Sequence, residues 1–225
     1  MHGLAVHARQ GHREQYQPLR SELCDSPEPR RVLEVLLRLY PFRTVYIADL
    51  DALMGRPAQT GLLQELRREF PHLRFWVDRG LPEGWTEGNP VWKSNPVTVL
   101  GSESLDQADL PRLGEIHAQY LLSLDFREGR LLGPEELLRN PAFWPEWVIL
   151  MNLTRVGAPL GPDMAQALEF TKKYPKHRFF VAGGVRDPGD LARLKAGGMA
   201  GVLIASALHS GKVDGSVLRR LKQDA

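Results

Sequence analysis

Short apolar runs alternate with longer amphipathic segments along the chain. The runs are apolar at consecutive positions, which is typical of parallel strands that are buried on both faces of their sheet. We expect strands at Thr44 to Asp49, Arg74 to Asp78, Val97 to Gly101, Tyr120 to Asp125, Val148 to Leu153, Phe179 to Ala182 and Gly201 to Ala205. The intervening segments carry apolar residues at helical spacing, as in Val32, Leu33 and Leu36. Strand followed by helix, repeated, predicts βα units with right-handed crossovers and hence an α/β fold.

Helix starts are marked by proline and acidic residues, which suit the positive amino end of a helix. Such groups occur at Ser26 to Glu28, at Gly133 to Glu135 and at Asp187 to Pro188. The stretch from Gly80 to Pro96 is rich in proline, glycine and tryptophan, so we expect an irregular connection there. A binding loop is the alternative for that stretch.

Length, composition and charge narrow the class of protein. The chain has 225 residues, which suits a single TIM (β/α)8-type barrel, although two smaller domains remain possible. With 43% hydrophobic and 25% charged residues, it is expected to fold around a core of useful size. The formal charge of +2 comes with basic residues that are scattered along the chain, a pattern that argues against a nucleic-acid site.

Cysteine, histidine and hydropathy patterns exclude further classes. The only cysteine, Cys24, argues against an internal disulfide framework and favours a reducing, cytoplasmic location. The seven histidines lack metal-ligand spacing, so no metal is predicted. The sequence implies no organic cofactor either. No apolar run approaches the roughly 20 residues that span a bilayer, and the start has no signal-peptide pattern, so no membrane partner is expected.

The chain resembles itself when it is shifted by 103 or 104 positions. The shift aligns VYIADLD with VILMNLT, FPHLRFWVDRGL with YPKHRFFVAGGV, and TVLGSES with VLIASAL. Three βα units in the same order predict one barrel domain, residues 1–225, that is built from two half-barrels of approximately residues 1–117 and 118–225.

The second half contains one more unit than the first, a strand that ends at Asp125 with a hairpin turn at Gly129. When Gly129 is laid on Gly3, the residue equivalent to Asp125 falls just before Met1. The first barrel strand is therefore predicted to be missing from this sequence. Either the start was assigned too late, or the barrel is closed in another way.

These features resemble a known family, the histidine-biosynthesis barrels, which comprise phosphoribosylformimino-aminoimidazole-carboxamide ribotide isomerase and the cyclase of imidazole glycerol phosphate synthase. The resemblance runs through GLAVHARQG, YIADLDALMGRP, LLSLDF and VAGGVRDPGDLARLKAGGMAGVLIASALHSGKV. The forms RFWVDRG and FRTVYIADLDA are more similar to divergent barrels linked to one-carbon, tetrahydromethanopterin-type cofactor pathways. The resemblance implies a TIM barrel whose active groups lie at the carboxyl-terminal rim. It also implies a substrate with a phosphate at each end, and aspartates that end strands one and five.

The resemblance assigns candidate site residues in the second half. Asp125 matches the strand-five aspartate and is expected to transfer protons. Gly183 and Gly184 match the phosphate-binding glycines after strand seven, where a Cβ would keep phosphate from the backbone N–H groups. Ala205 and Ser206 match the turn after strand eight.

The first half departs from the family pattern. Asp78, Arg79 and Gly80 replace its glycine run, and the strand-one aspartate is absent. Asp78 would repel a phosphate, whereas Arg79 is a candidate to bind an anion. Through the repeat, Gly101 and Ser102 are equivalent to the strand-eight turn and are candidate phosphate-binding residues. These departures argue against a working isomerase of the histidine pathway.

Polar residues that follow two other strands have two interpretations each. Asp49 is either a catalytic group or a tie for its own turn, and Asp51 is expected to be structural. Asn152 and Thr154 follow strand six, where Met151 stands at the family's threonine position. Both side chains are candidates to bind substrate, and both could instead cap turns.

Two functional hypotheses follow from these observations. The first is an enzyme that acts on one phosphorylated small molecule, a sugar or ribosyl phosphate, by isomerase- or lyase-like acid/base chemistry related to histidine or one-carbon cofactor synthesis. The alternative is a non-catalytic phosphate-ligand binder or assembly protein that has lost the aspartate pair. Tryptophans near the loops are also compatible with a homo-oligomer.

Overall fold

The computed structural model describes residues 1–81, 95–116 and 120–223, and most of the predicted irregular connection at Gly80 to Pro96 lies outside them. The strands are β1 Val6–His7, β2 Gln17–Pro18, β3 Thr44–Ala48, β4 Arg74–Asp78, β5 Val97–Gly101, β6 Leu121–Arg127, β7 Arg130–Leu131, β8 Trp147–Asn152, β9 Arg178–Ala182 and β10 Gly201–Leu203. The helices are α1 Pro29–Leu39, α2 Leu50–Leu53, α3 Thr60–Glu69, α4 Leu110–Ile116, α5 Glu136–Arg139, α6 Met164–Lys173, α7 Pro188–Ala196, α8 Ser206–His209 and α9 Gly215–Gln223.

Seven parallel strands form a nearly closed barrel in the order β3-β4-β5-β6-β8-β9-β10. Each of the seven predicted strands is present, with ends displaced by at most two residues, so the predicted α/β barrel is confirmed. Among the described residues, β3 and β10 are the two ends of the sheet, which agrees with the expectation of seven strands. A hairpin strand, β7, pairs antiparallel with β6.

Side chains at alternate positions of each strand point to opposite faces, and this alternation separates two apolar layers. The buried members of the layer inside the barrel are Trp76, Val97, Val99, Leu121, Ile149, Met151, Phe180 and Ala182. Neighbouring strand residues such as Leu122 and Val148 belong to the layer beneath the helices, with Leu113 and Leu194. Each fully buried side chain of this kind contributes roughly 1.5–3 kcal/mol, so a one-residue slip of any strand would expose much of the core.

The helix starts follow the predicted sequence signals. Helix α1 begins at Pro29, and the Asp187 side chain caps α7 by accepting the backbone N–H of Asp190 at 2.9 Å. After Gly133 to Glu135 the helix is only four residues long. The predicted hairpin turn has Gly129 at φ 76°, in the left-handed region that glycine enters at low cost. None of the helices in the described part of the chain is both long and apolar enough to cross a bilayer.

Candidate active site

Polar residues replace apolar ones at the carboxyl ends of neighbouring barrel strands. On β6, Leu121, Ser123 and Asp125 share the face that points into the barrel, so Asp125 lies at its rim. Asp78 ends β4 on the same side as the interior residue Trp76. Because the intervening strand β5 is parallel to both and pairs with both, these strand ends meet at one rim of the barrel.

Asp125 is almost completely enclosed, with 3% of its surface exposed. Its Oδ1 atom accepts a 2.6 Å hydrogen bond from the Ser123 hydroxyl, and its Oδ2 atom accepts the backbone N–H of Glu103 at 3.3 Å. Burial, reinforced by the negative charge of Asp78, raises the pKa of Asp125 well above its ordinary value. The site therefore favours the protonated, proton-donating form of Asp125.

Asp78 is equally buried and accepts its own pair of hydrogen bonds. Its Oδ1 atom accepts the backbone N–H of Gly80, and its Oδ2 atom accepts the Tyr46 hydroxyl, both at 3.2 Å. Burial raises the pKa of Asp78 to about 6, and these two donors act against that rise. A group with such a pKa can both take up and release a proton near neutral pH.

Gly101 lies between the two carboxyl groups. A Cβ placed on Gly101 would be 2.8 Å from Oδ2 of Asp125 and 3.3 Å from Oδ2 of Asp78. Both distances are shorter than an ordinary contact, so a side chain at this position would displace at least one carboxyl group. Glycine at the end of β5 thus allows Asp78 and Asp125 to point toward one common space.

An ion pair closes one side of this space. The Arg13 guanidinium, in the short 3-10 turn after β1, contacts the carboxylate of Glu103, and both side chains are largely buried. The negative charge of Glu103 raises the pKa of Asp78 and of Asp125, whereas Arg13 lowers the pKa of Asp78. The pair also ties the amino-terminal segment to the rim of the barrel, across 90 positions of sequence.

A cavity of about 810 Å³ opens above the carboxyl groups and reaches β3 and β10. Its volume is in the range of small-molecule sites. The predicted site residues that line it are Asp49, Asp125, Gly183, Gly184, Ala205 and Ser206. Asp78, Tyr46 and Glu103 line the same cavity, as do the basic side chains of Arg20, His7 and His209.

The glycine pair after β9 has a structural role that sequence reasoning did not foresee. Gly183 and Gly184 adopt φ angles of 96° and 87°. A Cβ on Gly183 would lie 2.5 Å from the carbonyl oxygen of Asn152, and one on Gly184 would collide with the carbonyl oxygen of Gly161. Close approach of neighbouring backbone therefore requires glycine at both positions, in addition to the role in phosphate binding that the resemblance implies.

Asp49 lies at the cavity but also holds its own turn together. One carboxylate oxygen accepts the backbone N–H of Ala52 at 3.3 Å, and the other accepts that of Gln59 at 2.7 Å. These contacts correspond to the turn-tying alternative that the sequence left open. They occupy both oxygens of Asp49 with backbone donors.

The other predicted site residues do not line the cavity; they are Asn152, Thr154, Arg79, Gly101 and Ser102. Asn152 donates to the carboxylate of Asp163 at 3.2 Å, and the Thr154 hydroxyl accepts the backbone N–H of Glu128 at 2.8 Å. The Ser102 hydroxyl accepts the backbone N–H of Asp125 at 2.9 Å, so Ser102 positions the carboxyl-bearing strand.

Sequence reasoning missed four members of the site. Tyr46 and Ser123 carried a signal in the sequence. Ser123 shares the inward face of β6 with Asp125, and Tyr46 shares the inward face of β3 with Ala48, the neighbour of Asp49. Glu103 and Arg13 carried none, since their contact depends on how the amino-terminal segment folds over the rim.

The arrangement supplies proton donors and acceptors. Within residues 1–81, 95–116 and 120–223, no three His, Cys, Asp or Glu side chains are grouped so that they could hold a metal ion. The chemistry that the described side chains can perform is proton transfer and hydrogen bonding at the paired strand ends.

Several known proteins are similar to this chain in sequence. A profile of the family described as histidine biosynthesis protein matches residues 145–214. An uncharacterised protein of Methanocaldococcus jannaschii is 27% identical, over 94% of this chain and 90% of its own. An isomerase of Thermococcus kodakarensis, named for an imidazole-4-carboxamide with two 5-phosphoribosyl groups, is 27% identical over 75% of either chain. The isomerase of that name from Myxococcus xanthus is 24% identical, over 81% of this chain and 82% of its own.

Proposed function

We propose that this chain is an enzyme that acts on a phosphorylated small molecule with Asp125 as its acid. Its sequence is that of a divergent relative of the histidine-biosynthesis barrels, as its motifs predicted. The observation that carries the proposal is the shared cavity, which Asp125 lines together with the Gly183–Gly184 turn and the Ala205–Ser206 turn. A reacting group and a candidate anion site therefore face one ligand-sized space.

The acid role of Asp125 is supported by its surroundings. Its burial and the nearby carboxylate of Asp78 raise its pKa, so that it can keep a proton where an exposed aspartate is ionised. The hydrogen bonds from Ser123 and from the backbone of Glu103 hold the carboxyl group in one orientation. An oriented acid that faces a ligand-sized cavity suits isomerase- or lyase-like proton transfer.

The phosphate end of the substrate is proposed to bind at the second-half turns. Glycine turns leave backbone N–H groups accessible to phosphate oxygens, and Arg20 and the histidines His7 and His209 add basic side chains to the same cavity. The first half is different, because the buried carboxyl of Asp78 occupies the rim there. A substrate with one phosphate, such as a sugar or ribosyl phosphate, fits this asymmetry better than one with a phosphate at each end.

Thermal unfolding with added ligand tests the phosphate site. Inorganic phosphate and ribose 5-phosphate at millimolar concentration should raise the Tm, since a ligand at ten times its Kd contributes about 1.4 kcal/mol. Ser206→Asp, at an exposed position of the cavity wall, should abolish this protection through charge repulsion. Ser206→Asn, which introduces a side chain of the same shape as aspartate but without its charge, should retain the protection. Wild-type protein with no increase in Tm at millimolar ligand would contradict the proposed function.

A further inference from the structure

Asp78 and Asp125 approach one another from different strands and share one gap. The carboxyl of Asp78 comes from the end of β4 and that of Asp125 from β6, with only the glycine end of β5 between them. Both Oδ2 atoms lie within 3.3 Å of the single point where a Cβ on Gly101 would be. The other oxygen of each carboxyl is directed elsewhere, to Gly80 or to Ser123, so the two Oδ2 atoms are the pair that faces the gap.

The two carboxyl groups have unlike surroundings. Each carboxyl accepts one hydroxyl and one backbone N–H, which favour its ionised form, but Asp78 also has the cation of Arg13 in its field. The negative charges of Asp78 and Glu103 act on Asp125, and both raise its pKa. Unlike environments of this kind separate two carboxyl groups into one base and one acid.

We propose that Asp78 and Asp125 are a catalytic acid–base pair, in which Asp78 removes a proton from a substrate atom held in the cavity that both side chains line and Asp125 delivers a proton to a neighbouring substrate atom. The inference rests on the proposed function, which it deepens by assigning the second reacting group. The proposed pair also assigns Asp78 a catalytic role, whereas the sequence indicated only that its carboxylate would repel a phosphate. Tyr46 and Arg13 are positioning residues that keep Asp78 ionised.

The proton balance of an aldose–ketose isomerisation is complete with these two groups. The Asp78 carboxylate removes the hydrogen from the carbon beside the carbonyl, and the electron pair of that C–H bond forms a C=C bond. The carbonyl π pair takes the proton of Asp125, which yields an enediol. Asp78 then returns its proton to the former carbonyl carbon while Asp125 recovers one from the adjacent hydroxyl, so no oxidant, reductant or metal enters the step.

Titration of isotope-labelled aspartate carboxyls by NMR tests the pair without any substrate. Asp78→Asn should lower the pKa of Asp125, because it removes a facing negative charge. Asp163→Asn, which removes a carboxylate at the start of helix α6 and keeps a capping side chain, should leave the pKa of Asp125 unchanged. An Asp125 titration that is identical in wild type and Asp78→Asn would overturn the pairing.

Wash-in of solvent deuterium into ribulose 5-phosphate tests the reaction step. Asp78→Asn and Asp125→Asn should each slow the exchange by about 100-fold or more, while Asp163→Asn should exchange at the wild-type rate. Absence of exchange in wild-type protein that is stabilised by phosphate would overturn the catalytic pair. Wild-type protein whose Tm does not rise with phosphate would instead contradict the proposed function, so the two failures can be told apart.

Discussion

The Ser123 hydroxyl donates a 2.6 Å hydrogen bond to Oδ1 of Asp125, two residues further along the same strand. Strand alternation places both side chains inside the barrel, and the serine is completely buried. The bond fixes the orientation of the carboxyl group before any ligand arrives. It also leaves Oδ2 to face the gap over Gly101.

Ser123→Ala should destabilise the protein and make Asp125 a weaker acid. The substitution removes the donor to a buried oxygen, which typically costs about 1–3 kcal/mol. Because that donor lowers the pKa of Asp125, its loss should raise the pKa further. Urea unfolding and carboxyl NMR measure the two effects, and an unchanged Asp125 titration would show that the hydrogen bond does not act on the carboxyl group.

Asp78→Asn should flatten the pH dependence of stability. With a pKa raised from 3.8 to about 6, folded Asp78 binds its proton more tightly than unfolded Asp78. The contribution of Asp78 to wild-type stability should therefore fall as pH rises from about 4 through about 6, by up to roughly 3 kcal/mol. Between pH 4 and pH 8 the variant should therefore lose less unfolding free energy than the wild type.

Urea unfolding between pH 4 and pH 8 measures this difference. The matched comparison is Asp163→Asn, which should keep the wild-type slope because the raised pKa of Asp78 is still present. Parallel pH profiles for wild type and Asp78→Asn would contradict the prediction.

Gly101→Ala should perturb the carboxyl pair, whereas Gly61→Ala should not. The new methyl group at position 101 would lie 2.8 Å from an oxygen of Asp125, so a carboxyl group must move. We expect a loss of about 1–3 kcal/mol from overpacking, together with shifted titrations of both aspartates.

Gly61, in helix α3, has no atom within 4 Å of the same built position, and alanine there should be neutral or stabilising by up to about 1 kcal/mol. Thermal unfolding and carboxyl NMR of the two variants test the pair of predictions. Wild-type aspartate titrations in Gly101→Ala would show that the gap tolerates a methyl group.

Asp190→Asn should destabilise the barrel at neutral pH and matter less in acid. The buried carboxylate accepts three hydrogen bonds from Arg186, each 2.9 Å long, and contacts Arg193. Arg186 holds the pKa of Asp190 below its usual range, so the contribution is present above pH about 4 and is lost as pH falls below it.

The expected cost at pH 7 is about 1.5–3 kcal/mol, which is typical of lost hydrogen bonds to a charged group, because both arginines are partly exposed and water can solvate them. Glu146→Gln, which breaks an exposed pair with Arg178, should cost less than about 1 kcal/mol. Denaturant unfolding at pH 7 and pH 3 compares the variants, and equal costs at both pH values would contradict the assignment.

The strands were the most predictable part of the fold. Runs such as Val97 to Gly101 are apolar on both faces. Such runs are typical of central parallel strands, because these strands are buried on both faces of the sheet. Asp125 was predictable as a site residue for the converse reason, since a carboxylate that ends such a run must face a polar partner or a ligand.

Other features were accessible only in part. The glycine pair Gly183–Gly184 was recognised as special, but the sequence could not indicate that the carbonyl groups of Asn152 and Gly161 press against it. Asp49 was left between two roles, and the structure adds the backbone contacts of the structural one.

The sequence by itself determined the barrel class, the order of its strands and the presence of carboxylates at strand ends, because these depend on local hydrophobic pattern and on the internal repeat. Only the tertiary structure decided that Asp78 and Asp125 share one gap over Gly101, and that Arg13 and Glu103 close its side. Such contacts join residues that are distant in sequence. They depend on the register between parallel strands and on the path of the amino-terminal segment, which no local pattern encodes.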